Sequence, residues 1–329
     1  MAASASADTA SALWYSGVGK AEIRQEVLGA PSAGEVRVKS LYSAISRGTE
    51  SLVFGGRIPA SEFGRMRAPF MAGHFPFPVK YGYATVGQVE YGSDPLRGKS
   101  VFALHPHQTA FNIPAASVAV LPDDVPPHRA VLAANMETAL NGVWDAAPCP
   151  ADHIAVIGAG VVGSLVAYLC GHLPGAKVTL VDINPARAEL ASALGVGFAE
   201  PAKAARNCDL VVHASGSPDG LSTALDLAGD EATVLEMSWY GDRTVGAPLG
   251  GPFHSRRLRL VSSQVGSVAS SHRPRWSHHR RLSAAVGLLA DSRLDVLLAP
   301  AIEFGDLPKR LPDILAAGSA TPCQPIAYS

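Results

Sequence analysis

His153-Ile-Ala-Val-Ile-Gly158-Ala159-Gly160-Val161-Val162-Gly163 joins a short apolar run to three spaced glycines. The apolar run suits a strand buried on both faces of a parallel sheet. Beyond the glycines the chain reads as a helix from Val161 to Gly171. Strand, glycine turn and helix in this order are the context that a dinucleotide fingerprint needs. Gly158 permits the tight turn, Gly160 lets a pyrophosphate approach the backbone, and Gly163 lets helix and strand pack closely. Ala159, Val161 and Val162 carry the intervening amides, and the helix N-terminus adds partial positive charge for the phosphates. A second strand, Lys177-Val-Thr-Leu-Val181, ends at Asp182, about 20 residues after the last glycine. A carboxylate there takes both ribose hydroxyls and repels a 2′-phosphate, so NAD(H) is expected in preference to NADP(H).

Working outward, the alternation continues. Asn184-Pro185 is expected to open a helix that Gly195 ends. Further strands are expected at Leu210–His213, Thr233–Met237 and Leu258–Val261, with helices at His128–Trp144 and Leu282–Leu289. Alternating β and α units predict a parallel sheet with right-handed crossovers. Arg187 either covers the adenine or is a solvated helix charge. Ser215 and Gly216 follow the fourth strand and are expected to line the cofactor crevice at the sheet's carboxyl edge. His213 reads as a satisfied buried histidine. Trp239 and Tyr240 follow the fifth strand, where they either stack on a planar substrate or pack.

Residues 13–127 differ. Short alternating runs such as Glu35-Val-Arg-Val-Lys39 and Thr85-Val-Gly-Gln-Val89, punctuated by turns, predict twisted antiparallel sheet with little regular helix. Ser51–Phe77 reads as an irregular excursion or lid, in which Arg57, Arg65, Arg67 and His74 offer cations for a substrate carboxylate or phosphate. A second basic cluster, His272 to Arg281, reads as a solvated face. These shifts divide the chain into a parallel-sheet domain over 128–264 and a β-rich domain from 1–127 with 265–329. The 329 residues carry 27 Lys and Arg against 28 Asp and Glu, so no global field draws the protein to nucleic acid. No run of about 18 uncharged apolar residues suggests a membrane span. Four scattered cysteines suit a reducing compartment. Met1–Ala10 lacks the pattern of a secretory signal and reads as a frayed tail, so a cytoplasmic location is expected.

Several segments resemble the medium-chain dehydrogenase/reductase superfamily across nearly the whole chain. Ile45-Ser-Arg-Gly48-Thr49-Glu50 resembles its Gly-Ile-Cys-Gly-Ser/Thr-Asp segment, and Gly82-Tyr-Ala-Thr-Val-Gly87-Gln-Val89 its Gly-His-Glu-x-x-Gly-x-Val segment. Met136-Glu-Thr-Ala-Leu-Asn-Gly142 resembles the helix that leads into the cofactor domain. The resemblance implies an α/β protein, a Rossmann cofactor domain with a β-rich GroES-like catalytic domain, and an oxidoreductase acting on a small molecule. It also implies a homodimer joined along the edge strand near Leu258–Val265. Zinc-dependent members bind metal through the Cys and His of the first two segments. Arg47 and Tyr83 stand there instead, leaving Glu137 as the one acidic match, so no catalytic zinc is expected. His105, His107, His278 and His279 read as surface histidines. The branch resemblance is to bacteriochlorophyllide hydroxyethyl dehydrogenase-like proteins, which implies an alcohol or carbonyl on a ring-bearing biosynthetic molecule.

Without a metal, side chains must handle the substrate oxygen. Tyr83 is the candidate acid, its pKa expected to fall under the charges of Lys80 and Arg47. Arg47 is a candidate alkoxide stabiliser, Glu50 its expected ion-pair partner, and Glu137 a candidate proton relay or substrate anchor. The alternatives are a C=C reductase of the enoyl or quinone type and a dinucleotide-binding protein without catalysis.

Overall fold

The computed structural model describes residues 8–92, 94–316 and 322–329. The chain divides into two units. One is Met1–Ala134 with Val286–Ala290 and Leu298–Ser329; the other is Asn135–Ala285 with Asp291–Leu297. Compared with seams at 128 and 265, residues 128–134 belong to the first unit, where Pro127–Ala130 packs on the strand Thr85–Tyr91. Residues 265–285 belong to the second, because Arg281 reaches back to Glu137 and Asn141.

The second unit is built on six parallel strands: β1 (His153–Ile157), β2 (Lys177–Val181), β3 (Gly197–Ala199), β4 (Cys208–His213), β5 (Ala228–Glu236) and β6 (Arg259–Ser262). Their spatial order is β3-β2-β1-β4-β5-β6, the doubly wound order whose reversal lies between β1 and β4. The helices α1 (Val161–Gly171), α2 (Arg187–Ala193) and α3 (Pro218–Leu227) connect them. Four of the five β1 residues are buried, as the unbroken apolar run requires. Ala155, Ile157, Val211 and Val234 form one core with Ala224 and Leu225 of α3.

Helix ends refine the sequence reading. Gly195 has φ +76°, and Val196 N–H and Gly195 N–H bond back to the carbonyls of Ala191 and Ser192, a Schellman stop. Asn184 does not cap α2 directly. Its side chain accepts the Ala186 N–H at 3.0 Å in a turn, and regular helix begins only at Arg187. The expected helix at 128–144 is two, Pro127–Ala130 and Ala133–Ala146.

The basic cluster at 272–281 is not one solvated face. Arg281 is 1% exposed. Its guanidinium donates to Glu137 at 3.0 Å, to Asn141 and to the carbonyls of Ser267 and Val265. Glu137 is therefore half of a buried ion pair. Burial pushes its carboxyl up, and Arg281 offsets this only in part.

In the first unit the strand Glu35–Ile45 is the hub of a seven-stranded sheet. It pairs antiparallel with Thr85–Tyr91, Ala110–Pro114 and Gln324–Ala327, so the chain's last strand returns to the first region. Val36 and Val38 point into a core with Val89, Val101, Phe111 and Ile113, as the alternation at 35–39 predicts. Asp8–Gly17, Lys20–Leu28, Ala72–Gly73 and Val79–Lys80 form a second, four-stranded sheet. Asp8–Ala10 thus belong to a strand, whereas the rest of the expected frayed tail, residues 1–7, lies outside the described residues.

The excursion opens with regular helix where none was expected, Arg47–Phe54. The Glu50 carboxylate reaches back to the Ser46 N–H at 2.8 Å, in the manner of a capping box, and so secures a turn that contains Gly48 and Thr49. Among the described residues no helix is long and apolar enough to cross a membrane.

Arg281→Met is expected to leave the Glu137 carboxylate buried without its partner and to lower stability by about 3 kcal/mol. The measurement is the urea midpoint, with an exposed control, Arg275→Met, changing it little.

Candidate active site

In the second unit the parallel register aligns Ile157 with Val181 and with His213, and His213 with Glu236. The residues that follow these positions therefore emerge together at the carboxyl edge. Gly158 turns the chain there with φ +102°. A Cβ on Gly158 would stand 2.6 Å from Ser215 Cα, and one on Gly163 only 2.0 Å from the Gly158 carbonyl oxygen. Both positions exclude any side chain. Gly160 differs, since nothing lies within 4 Å of its Cβ position and that face of the turn is open. By helix geometry the first amides of α1 have no intrahelical acceptor and stand beside this open face. The Asp182 carboxylate accepts the N–H groups of Ala159 at 2.7 Å and Asn184 at 2.8 Å, one on each oxygen. This ties the end of β2 to the glycine turn and leaves further lone pairs for ribose hydroxyls. Arg187 stands half-buried at the start of α2. A glycine turn, unpaired amides and a tethered carboxylate are a donor set that fits a dinucleotide.

Beside them lies a chain of polar groups. His213 is fully buried; its Nδ1 meets the Glu236 carboxylate at 2.8 Å and its Nε2 meets Ser215 Oγ at 2.6 Å. Burial pushes the Glu236 carboxyl up, but His213 and the Ser238 N–H outweigh it and hold it below the usual carboxylate range. An ionised Glu236 places a proton on Nδ1, and Nε2 lies at hydrogen-bond distance from the Ser215 hydroxyl. Gly220 of α3 closes over this contact, because a Cβ there would be 2.2 Å from Ser215 Oγ. Gly216 N–H donates to Ser238 Oγ at 3.0 Å. Tyr240 belongs to the same network: its hydroxyl donates to Glu236 at 3.2 Å, and Arg243 lies over its ring. Burial, then Glu236, pushes its pKa up. Trp239 is half-buried beside it.

In the first unit Tyr83 donates to Ser46 Oγ at 2.6 Å. Its pKa moves opposite to the sequence expectation. Burial pushes it up to about 12, against the lowering effect of Ser46 and Thr49. Lys80 does not act on it, being held by Glu26 at 2.6 Å and Gln108 at 3.0 Å. Among the described contacts Glu50 meets Tyr15, Ser46 and His107 rather than the expected Arg47. Arg47 donates to the Ala316 carbonyl at 3.1 Å. Glu50, fully buried, accepts from the Tyr15 hydroxyl at 2.5 Å and the Ser46 N–H, and meets His107 Nε2 at 3.1 Å. His107 Nδ1 contacts Ser43 Oγ, which contacts the Tyr328 hydroxyl, each at 2.8 Å. His105 and His107 are thus interior groups, contrary to the surface reading. His105 stacks on Phe111 at 3.6 Å, and burial drives its pKa down to about 3. The apolar run Val101–Ala103 and the alternating Phe111 and Ile113 flank these histidines and are the signal from which their burial could have been inferred.

Among the described residues no group of three His, Cys, Asp or Glu side chains could hold a metal ion. At the positions matching zinc ligands stand a guanidinium and a phenol already bonded to Ser46, a donor set that does not fit zinc.

No family model matches the chain. An L-threonine 3-dehydrogenase of Legionella pneumophila is 27% identical over 131 residues, which is 38% of this chain and 36% of that protein. An uncharacterized zinc-type alcohol dehydrogenase-like protein of Haemophilus influenzae is 29% identical over 221 residues, 63% of this chain and 60% of that protein. The match thus spans about a third of the first relative's length. Among solved structures, L-idonate 5-dehydrogenase from Escherichia coli superposes with TM-score 0.80 at 13% identity, covering 98% of this chain and 99% of the other. A putative zinc-binding dehydrogenase from Sinorhizobium meliloti, bound to NADP, gives 0.78 at 17% identity, covering 97% and 99%. The parallel sheet, the β-rich unit and these superpositions give the chain an α/β fold, a Rossmann unit with a GroES-like one, that these dehydrogenase structures share.

Proposed function

We propose that this protein is a zinc-independent dehydrogenase that moves a hydride between NAD(H) and an alcohol or carbonyl group of a small, ring-bearing molecule. The observation that carries the reading is the open Gly160 face at the start of α1, with the Asp182 carboxylate tethered beside it. In this reading the amides of Val161, Val162 and Gly163 bind the pyrophosphate, the Ala159 N–H being committed to Asp182 instead; Asp182 holds the ribose hydroxyls, and Arg187 covers the adenine. Ser215 and Gly216 line the remaining cofactor surface, with His213 and Glu236 fixing the Ser215 hydroxyl. When bound, the nicotinamide supplies or accepts the hydride.

Tyr83 handles the oxygen. With its pKa raised to about 12 the phenol stays protonated across neutral pH, so it is suited to donate a proton to a carbonyl oxygen rather than to remove one from an alcohol. Ser46 orients the hydroxyl, and Glu50, bound to the Ser46 backbone, fixes Ser46. Arg47 stabilises charge that develops on the substrate oxygen. Lys80 and Glu137, each in an ion pair, act structurally. Reduction of a C=C bond with NADPH is the second reading, against which the Asp182 carboxylate stands. A dinucleotide-binding protein without catalysis is the third.

Purified protein is expected to bind NADH at least about tenfold more tightly than NADPH, with Asp182→Ala narrowing that ratio, as read by NADH fluorescence. Elemental analysis is expected to find no stoichiometric zinc. Loss of the NADH preference, or one zinc per chain, removes the reading. For carbonyl reduction on a substrate panel, Tyr83→Phe is expected to lower kcat by about 10²- to 10⁴-fold without changing NADH affinity. Below pH 10 the wild-type rate should show no fall assignable to phenol ionisation, since the group deprotonates only near 12. Self-association through β6, exposed along its length, is part of the same reading, and light scattering is expected to give twice the chain mass.

A further inference from the structure

We propose that a cavity in the β-rich unit, between residues 63 and 75, binds a planar aromatic group that bears a carboxylate. The cavity is a groove open to solvent, with a volume of about 420 Å³, and is lined by Phe63, Gly64, Arg67, His74 and Phe75, of which Gly64, Arg67 and His74 are exposed. That size accommodates a small organic molecule rather than a water cluster or a lone ion. Its apolar wall is the Phe63–Phe75 pair, with ring centroids 5.7 Å apart. Nothing lies within 4 Å of the Cβ position of Gly64, so the wall there gives onto open space.

The polar groups decide the ligand's charge. Arg67 is anchored by two of its donors, Nη1 to the Gly73 carbonyl and Nη2 to the Met71 carbonyl, each at 3.2 Å. Arg67 is exposed, and its other three N–H donors, which have no acceptor among the described residues, face the open side of the groove. An anchored guanidinium with open donors is preorganised for a carboxylate. His74 adds a second basic group, and among the described lining residues there is no carboxylate to compete. An aromatic face beside a fixed cation therefore selects a ring with an acidic substituent. Arg57, the arginine expected from sequence to meet substrate, is not among the lining residues.

A series of ring contacts connects the cavity to Tyr83. Phe75 packs on Tyr81 at 5.9 Å, and Tyr81 packs edge-on against Tyr83 at 6.0 Å. A ligand anchored at Arg67 would touch Phe75, which the buried Tyr81 ring separates from the proposed proton donor. The binding assignment stands on the cavity alone. Its role as the subsite that holds a substrate's acidic ring rests on the dehydrogenase reading.

The test titrates 2-naphthoate into the full chain without cofactor, by calorimetry and saturation-transfer NMR, with 2-naphthol as the neutral control. Saturable 1:1 binding is expected, with 2-naphthol at least about tenfold weaker. Arg67→Leu is expected to weaken 2-naphthoate by about tenfold or more and leave 2-naphthol unchanged. Arg67→Lys should fall between, and Phe63→Ala should weaken both probes. Unfolding midpoints report whether each variant is folded. If 2-naphthoate does not saturate the wild type, or binds no better than 2-naphthol, the assignment is overturned. Unchanged 2-naphthoate affinity in folded Arg67→Leu overturns it too. NADH binding is measured separately, so its failure removes the dehydrogenase reading while the naphthoate result still decides the cavity.

Discussion

The close approach of α1 to the glycine turn governs the second unit. A Cβ at Gly163 would sit 2.0 Å from the Gly158 carbonyl oxygen, so helix and turn are in direct backbone contact. That contact aims the free amides of α1 at the sheet's carboxyl edge. The parallel register of β1, β2, β4 and β5 then delivers Asp182, Ser215 and Glu236 to the same edge. Loosening the contact by one side chain would displace the amides from the tethered Asp182, and with them the proposed phosphate site.

The β-rich unit depends on a different constraint, a carboxylate with no access to water. Glu50 is 0% exposed and survives there because Tyr15, His107 and the Ser46 N–H each bond to it. A buried charge is tolerable only when its lone pairs are satisfied in this way. Its influence spreads outward. It helps raise the pKa of Tyr15, where burial is the larger cause, and it fixes the Ser46 backbone under the Tyr83 hydroxyl. Glu50 thus sets the posture of the Tyr83 hydroxyl through the Ser46 backbone.

The glycine turn, β1, β2 and α1 were legible in the sequence because each rests on local rules. Apolar runs bounded by glycine, and positions that only glycine can occupy, need no tertiary information. The polar hubs were not legible. Glu50 and His107 lie 57 residues apart, and His213 meets Glu236 only through the pairing of β4 with β5. Helix 47–54 was hidden by Gly48 and Thr49, whose weak propensity is overridden by the Glu50 contact with Ser46. Arg280 and Arg281 look alike as neighbours in sequence. A helix turns about 100° between them, which leaves one exposed and buries the other.

The strand Gln324–Ala327 pairs directly with Glu35–Ile45, nearly three hundred positions earlier. During synthesis the parallel sheet can therefore form while the β-rich sheet still waits for an interior strand. Until that strand leaves the ribosome, Tyr42–Ile45 presents an unpaired edge, the kind of surface that recruits chaperones or strands of other chains. The seven-stranded sheet, which includes the strand that follows Tyr83, can therefore be completed only after the parallel sheet has been synthesised.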